Sequence, residues 1–374
     1  MITISLCMIV RNEEKSLGRC LDGVKDIADE IIIVDTGSTD NTKEVAESYG
    51  AKIYDFEWIQ DFGAARNYSF SKATSEYILW LDADDTIEEK DRELFKQLKA
   101  TLSPDYQSVS MAYNLAFDSE GKVISSLRRN RLVRRDCNFQ WIGPVHEYLA
   151  AGGNTLASDV CITHKKDKEY TDRNLQIYLN REKKGEDFSP RDLYYFANEL
   201  REHARYEESV KYYRRFLDTE QGWIEDNFQA CLKLAACYEK LGNTKARIQA
   251  LCETLRYDMP RSEFCCQMGY YFLSTNEINQ AIYWFKTAIE LPKRETMGLQ
   301  DMTSTNWVPH LQLCLCYDKL GLFTKANYHN EMALMYYPTH PSMLYNRTYY
   351  KGKLGESFVS FNEDLVQAAE GKSV

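Results

Sequence analysis

The run Asp82-Ala83-Asp84-Asp85 sets three carboxylates within four residues, directly after the apolar stretch Tyr77-Ile78-Leu79-Trp80-Leu81. Charges this close repel one another unless a cation lies among them, and hard oxygen donors suit Mg2+ or Mn2+ shared with diphosphate oxygens. Such a triplet can also be an N-cap cluster, so its place at a strand end is what gives it weight. Polar groups stand at comparable points in Val10 to Glu13, Asp35 to Asp40 and Asp61 to Asn67. Arg66 and Asn67 open a helix, where donor side chains and the helix N-terminus favour an anion. His164, in Ile162-Thr163-His164, and the pair His146-Glu147 add imidazoles and a carboxylate from far along the chain.

These residues need a frame, and the hydrophobic pattern supplies one. Residues 2–10 read as a strand, followed by a helix from about 13 to 25. Glu30 to Asp35 is a short apolar run, the mark of a parallel strand buried on both faces. The turn and cap residues Thr36 to Thr42 lead into a helix ending near Tyr49. Ala51 to Asp55, a helix near 63–73 and the strand Tyr77 to Leu81 continue the alternation. The pattern predicts a doubly wound parallel sheet, in which ligands bind beyond the carboxyl ends of the strands. All four polar places fall there. Beyond Pro104, Ser108 to Phe117 and Lys122 to Leu127 flank Asp118-Ser119-Glu120-Gly121 as a hairpin. Arg131 to Arg135 and Val160 to Thr163 are further strands, so this half is mixed and partly antiparallel, and the charged run Lys165 to Glu169 marks the exit.

From about residue 171 the chain is helical and tyrosine-rich. Ala235, Tyr238 and Gly242 are echoed by Leu313, Tyr317, Gly321 and Ala326, and more loosely by Gly269, Phe272, Ala281, Phe285 and Ala288. The aligned turn positions Ala204, Gly242, Asn276 and Gly321 lie 38, 34 and 45 residues apart, close to a tetratricopeptide period of about 34. Each hairpin must stack on its neighbours to bury its apolar face, which gives a solenoid; an irregular bundle is the alternative. The domains expected are therefore 1–168 and 169–374.

Composition narrows the function classes. A net charge of -10 excludes wrapping a nucleic acid, which needs clustered cations. One basic run, Arg128 to Arg135, carries five arginines in eight residues and suits a phosphate-bearing ligand, a partner patch or simply a solvated strand edge. No stretch approaches the roughly 20 apolar residues of a membrane span. The apolar start Met1 to Val10 lacks the basic n-region and cleavage site of a signal peptide. The 11 cysteines, several on helical faces, fit reduced thiols and a cytoplasmic protein.

Five ordered motifs together resemble glycosyltransferase family 2: Met8 to Glu14, Val34 to Asp40, Asp61 to Asn67, Trp80 to Asp84, and Arg131 to Arg135 with Trp141-x-Gly143-x-Val145-His146-Glu147. With its helical repeats, the chain is similar to the subgroup that includes the bacteriocin peptide S-glycosyltransferases. The resemblance covers residues 2–165 strongly and the repeats loosely. It implies a GT-A domain, which is Rossmann-like with a mixed sheet, followed by an all-α tetratricopeptide-like solenoid. The implied activity is inverting, metal-dependent transfer from a UDP-sugar. Asp35 would meet the nucleotide base, Val10, Asn12 and Glu13 would line the nucleoside pocket, and Ser38 and Ala83 would join the nucleotide-sugar site. Asp82 would face the ribose or the metal's surroundings, Arg66 and Asn67 the diphosphate, and Asp84 with His164 would hold Mn2+ or Mg2+. The base, Glu147 or His146, stays open, because the acidic pair used by many members has no clear copy here.

The repeats make a peptide or protein the expected acceptor. A saccharide or lipid-linked glycan of a cell-surface polymer is the alternative, and a homodimer through the repeats is left open. Two rivals are weaker. A sugar nucleotidyltransferase wants a glycine-rich loop after the first strand, whereas the first glycine is Gly18. A repeat scaffold with a decayed transferase domain would not keep Asp35, Arg66, Asp82, Asp84, His146, Glu147 and His164 together.

Overall fold

The computed structural model describes residues 1–117, 121, 123–165, 171–292 and 300–361. They form two compact units, one built chiefly on Met1–Phe117 and Ser125–Asp187, the other on the helices from Phe188 onward.

In the first unit, strands β1 (Ile4–Val10), β2 (Glu30–Asp35), β3 (Lys52–Asp55) and β4 (Tyr77–Trp80) alternate with helices α1 (Leu17–Asp22), α2 (Thr42–Ser48) and α3 (Phe62–Ser71). The short β5 (Asp85–Thr86) and helix α4 (Glu89–Thr101) follow. Next come β6 (Ser108–Phe117), β7 (Val123–Arg134), the two-residue strands β8 (Trp141–Ile142) and β9 (Tyr148–Leu149), β10 (Thr155–His164) and helix α5 (Arg173–Lys183). The main sheet runs β3-β2-β1-β4-β7-β6-β10-β5. Its first four strands are parallel, β7 is antiparallel to β4, β10 is parallel to β6, and β5 is antiparallel to β10. This is the α/β, mixed-sheet architecture that the pattern predicts.

Both faces of the sheet are covered, as apolar parallel strands require. Leu6, Met8, Ile33 and Leu79 pack with Leu17, Leu21 and Phe95 in one layer. Cys7, Ile32, Ile78, Trp80 and Val133 pack with Phe70 and Trp141 in the other. Two departures from the pattern concern the later strands. The stretches read as separate strands at 122–127 and 131–135 belong to one strand, β7, over residues 123–134, since no glycine or proline stands between them. Trp141–Ile142 and Tyr148–Leu149 pair as a small ribbon that the pattern does not announce. Of the expected hairpin turn, Asp118, Ser119 and Glu120 lie outside the described residues, as do residues 166–169 of the charged exit. Helix α5 belongs to the first unit, where Leu175, Ile177 and Tyr178 are buried, so this unit runs past residue 168.

The second unit consists of helical hairpins. Helices α6 (Pro190–Glu202) and α7 (Tyr206–Asp218) pair, as do α8 (Ile224–Lys240) and α9 (Thr244–Glu253), α10 (Ser262–Ser274) and α11 (Ile278–Glu290), and α12 (Trp307–Lys319) and α13 (Phe323–Tyr336). Helix α14 (Pro341–Leu354) packs on α13. The four aligned turn residues all adopt left-handed backbone: Ala204 at φ 57°, Gly242 at 69°, Asn276 at 62° and Gly321 at 70°. In each turn the next amide reaches back five residues into the first helix's last turn, as in Arg205 to Leu200 and Asn243 to Tyr238, both 2.8 Å. That bond satisfies a carbonyl left open by the helix end. Small residues let the helices of a hairpin close: a Cβ at Gly269 would lie 2.6 Å from the Phe285 ring. All 11 cysteines are free thiols, and no helix among the described residues is long and apolar enough to cross a membrane.

Candidate active site

Adjacent parallel strands bring the carboxyl ends of β1, β2 and β4 to one edge of the sheet. At the β1–β2 end, Val10 pairs with Asp35 and both are buried. The Asp35 carboxylate accepts through Oδ1 from the amides of Gly37 (3.0 Å) and Ser38 (2.9 Å). Its Oδ2 is buried with no hydrogen-bond partner among the described residues. A buried carboxylate oxygen left bare is costly, so this atom calls for a donor from a ligand. The neighbouring loop is tied to the same turn. Asn12, in left-handed backbone at φ 54°, accepts the Thr39 amide at 2.7 Å and donates its own amide to Ser38 Oγ at 2.9 Å. Glu13 donates its amide to Thr42 Oγ1 at 2.7 Å. The structure thus gathers Val10, Asn12, Glu13, Asp35 and Ser38 at one place.

The acidic run closes as a tight turn after β4. The Asp85 amide donates to the Asp82 carbonyl (3.0 Å), and the Asp82 amide to Asp85 Oδ2 (2.9 Å). His164 arrives through strand pairing: β10 sets it opposite Asp85, and the Lys165 amide bonds the Asp84 carbonyl at 2.8 Å. His164 Nδ1 then lies 3.5 Å from Asp84 Oδ1, 3.8 Å from Asp85 Oδ1 and 3.0 Å from the Tyr113 hydroxyl. Hydrogen bonding to Asp84, and next to Asp85, pushes the imidazole up to about 9 despite partial burial. One ligand atom from each of Asp84, Asp85 and His164 falls within 4.8 Å of the others, a group able to hold a metal ion. Two carboxylates and an imidazole fit Mn2+ or Mg2+, and the buried Asp85 Oδ1, whose nearest cationic group is His164 at 3.8 Å, has no hydrogen bond of ordinary length among the described residues.

Asp85 and its partner Arg131 are the residues that sequence reasoning did not single out. Arg131 is fully buried, with Nη1 2.9 Å from Asp85 Oδ2 and its guanidinium between the rings of Trp80 (3.9 Å) and Tyr113 (4.3 Å). The third carboxylate of the run was visible as charge, but its pairing is set by strands remote in sequence. The rest of the basic run is also engaged by the fold, with the Arg129 guanidinium over the rings of Tyr113 and Trp80 at 5.3 and 5.9 Å. Arg128 donates to the carbonyls of Ser110 and Ser158, Arg134 to Pro104 and Asp136, and Arg135 to the Ser75 carbonyl.

Arg66 occupies the centre of the site. Its Nη2 donates to Asp82 Oδ1 at 2.7 Å and its Nε to Glu147 Oε1 at 2.6 Å, with Trp141 and Trp80 against the guanidinium at 4.8 and 5.2 Å. Burial works against charge on Asp82, but Arg66, and then Arg131, outweigh it and hold the carboxyl well below its ordinary range. Ala83 is buried within the turn. The loop carrying Glu147 is docked on α3 by other bonds. Asn67 exchanges two hydrogen bonds with the Trp141 backbone (2.8 and 2.9 Å), Phe62 donates its amide to Pro144 (2.8 Å), and a Cβ at Gly63 would lie 2.5 Å from the Gly143 carbonyl. The Asn67 amide is therefore engaged by the protein itself. Of the two base candidates, Glu147 joins the Arg66–Asp82 group, whereas His146, left-handed at φ 49°, stacks on Tyr178 of α5 at 6.3 Å.

The family model for glycosyl transferase family 2 matches residues 5–221. The chain belongs to glycosyltransferase family 2. It is 26% identical over 230 residues to the SPbeta prophage-derived glycosyltransferase SunS of Bacillus subtilis, covering 58% of this chain and 53% of that protein. It is also 40% identical over 150 residues to a TPR repeat-containing protein of Synechococcus elongatus, covering 40% of this chain and 36% of the other. The chain thus spans about half or less of the length of these curated relatives. Solved structures similar to it include the TPR protein YrrB (TM-score 0.35, 16% identity, 50% of this chain and 86% of that chain). Another is glucosyl-3-phosphoglycerate synthase from Mycobacterium tuberculosis (TM-score 0.34, 13% identity, 50% and 82%). By its family match and its own helical hairpins, the family-2 chain combines a glycosyltransferase domain with a tetratricopeptide-like helical region, as its motifs imply.

Proposed function

We propose that this family-2 chain transfers a sugar, with inversion, from a UDP-sugar to a peptide or protein acceptor in the cytoplasm. The observation that carries the reading is the pairing of two features at one sheet edge: the bare, buried Oδ2 of Asp35 and the Asp84–Asp85–His164 group. Asp35 Oδ2 is suited to accept the imide N–H of uracil, with Val10, Asn12, Glu13 and Ser38 around the nucleoside. Asp84 and His164, with Asp85 beside them, are suited to hold Mn2+ or Mg2+. When bound, the ion neutralises charge on the departing nucleoside diphosphate. Glu147 is suited to take the acceptor's proton as its nucleophile attacks the anomeric carbon. Inversion follows from the family resemblance. Stacked helical hairpins offer an extended surface for a peptide, and free thiols accord with a reducing compartment.

The deciding experiment combines thermal shift with UDP and Mn2+ and a UDP-sugar hydrolysis panel, on wild type and Asp84→Ala. The wild type should be stabilised and should release UDP from one donor. The substitution should lower turnover by at least about a hundredfold. Turnover that survives it would remove the metal assignment, and a folded wild type indifferent to UDP and Mn2+ would remove the donor.

A further inference from the structure

We propose that Arg66 is a positioning residue that couples the strand-end carboxylate Asp82 to the base Glu147, and is not a binder of the donor diphosphate. The proposal rests on the reading above, in which Glu147 takes the acceptor proton. Arg66 does not open α3 as expected, for the helix begins at Phe62 behind the N-cap Asp61; a guanidinium one turn into a helix beside a nucleotide site would still ordinarily be assigned to phosphate, but its surroundings here argue otherwise. The Nε–Nη2 edge that would grip phosphate oxygens is already bonded to Glu147 Oε1 (2.6 Å) and Asp82 Oδ1 (2.7 Å). One guanidinium between two carboxylates leaves that trio net negative, which repels a diphosphate. Trp141 and Trp80 hold the guanidinium in place, and the residue is only 8% exposed.

Arg66 is also not needed to dock the Glu147 loop. The Asn67–Trp141 pair, the Phe62–Pro144 bond and the Gly63–Gly143 approach already do that. What Arg66 adds is orientation and charge. It fixes Glu147 Oε1 and thereby leaves Oε2, which has no hydrogen-bond partner among the described residues, to receive a proton. In the step served, the acceptor X–H gives its proton to Glu147 Oε2 as the X–C1 bond forms. The C1–O bond to the diphosphate breaks, and its electron pair leaves with UDP. Asp82 holds the other end of the guanidinium, so the position of the base is referred to the strand that carries the metal group.

The test is a double-substitution cycle on the full chain, with UDP release from the active donor as the assay and water as acceptor. Glu147→Gln should lower kcat by about 10²–10⁴-fold, as loss of a general base does. Arg66→Met should lower kcat at least about tenfold while KM and UDP affinity stay within about twofold, and in the Glu147→Gln background it should add less than about threefold. Arg66→Lys, which keeps the charge but not the two-edged fork, should recover part of kcat and replaces Arg66→Met if the latter does not fold. Weakened UDP binding with kcat retained would make Arg66 a diphosphate ligand and overturn the proposal, as would losses that multiply in the double variant. A wild type that neither binds UDP nor turns over would sink the parent reading and this proposal with it. Multiplying losses in an active wild type would sink this one alone.

Discussion

At Asp35 one carboxylate has two separable tasks. Oδ1 ties the β2 turn through the Gly37 and Ser38 amides, while Oδ2 is bare and buried. Asp35→Asn keeps an oxygen for the turn but loses the charged acceptor. It should weaken UDP binding by about tenfold or more, the scale of an unmade charged hydrogen bond, with little change in melting temperature. Calorimetric titration with UDP checks this; unaltered affinity would remove Asp35 from base recognition. Much of the site could be read residue by residue, because Asp35, Asp84 and His164 stand at strand ends and strand ends are marked by where apolar runs stop. Asp85 and Arg131 could not be read that way. Their ion pair depends on β7 and β10 lying where β4 ends, and no local signal encodes which arginine of a basic run will turn inward. The partners of Arg66 were hidden for the same reason: Glu147 is 81 positions away.

At the scale of helices and strands, the clearest sequence signal was punctuation. Gly242, Asn276 and Gly321 are residue types that accept left-handed backbone, and the repeat register carried the assignment to Ala204, which has no such chemistry. Strand extent was read less well. In β7 no glycine or proline separates the two stretches, and the β8–β9 ribbon is too short to show periodicity. Helices α12 and α13 carry a pH response of their own. His310 and His329 meet Nδ1 to Nδ1 at 3.0 Å, so one ring donates and the other accepts, and His329 stacks on Tyr317 at 5.5 Å. Burial pushes His310 down to about 4, and burial, then His310 and Lys286, push His329 down to about 3. The folded helices therefore favour neutral rings, while the unfolded chain protonates near about 6.5. Stability is full above that pH and falls as pH drops from about 6.5 toward about 3. Thermal melting across this window should show a shallower pH slope in His310→Gln/His329→Gln; an equal slope would assign the response to other groups.

For the whole molecule, the division into two units makes the proposed roles separable. Helix α5 buries Leu175, Ile177 and Tyr178 within the first unit, so we propose a boundary after Asp187. A fragment of residues 1–187 should fold, bind UDP with Mn2+ and hydrolyse the donor, yet fail to glycosylate a peptide that the full chain modifies. Equal peptide transfer by the fragment would remove the helical region's role in acceptor binding. A fragment ending at residue 168 should melt lower, since it lacks three buried anchors worth about 1.5–3 kcal/mol each.

The close approach of Gly63 to the Gly143 carbonyl bears on how mutational tolerance in this chain is to be interpreted. With a notional Cβ only 2.5 Å from that oxygen, every side chain at position 63 forces α3 and the Trp141–Glu147 loop apart. In a saturation library scored for activity, position 63 would then rank beside the acidic residues while offering no side-chain atom to donor, metal or acceptor. Intolerance at that site measures clearance between two backbones, and a map of chemistry drawn from intolerance alone would set a reactive group where there is only room.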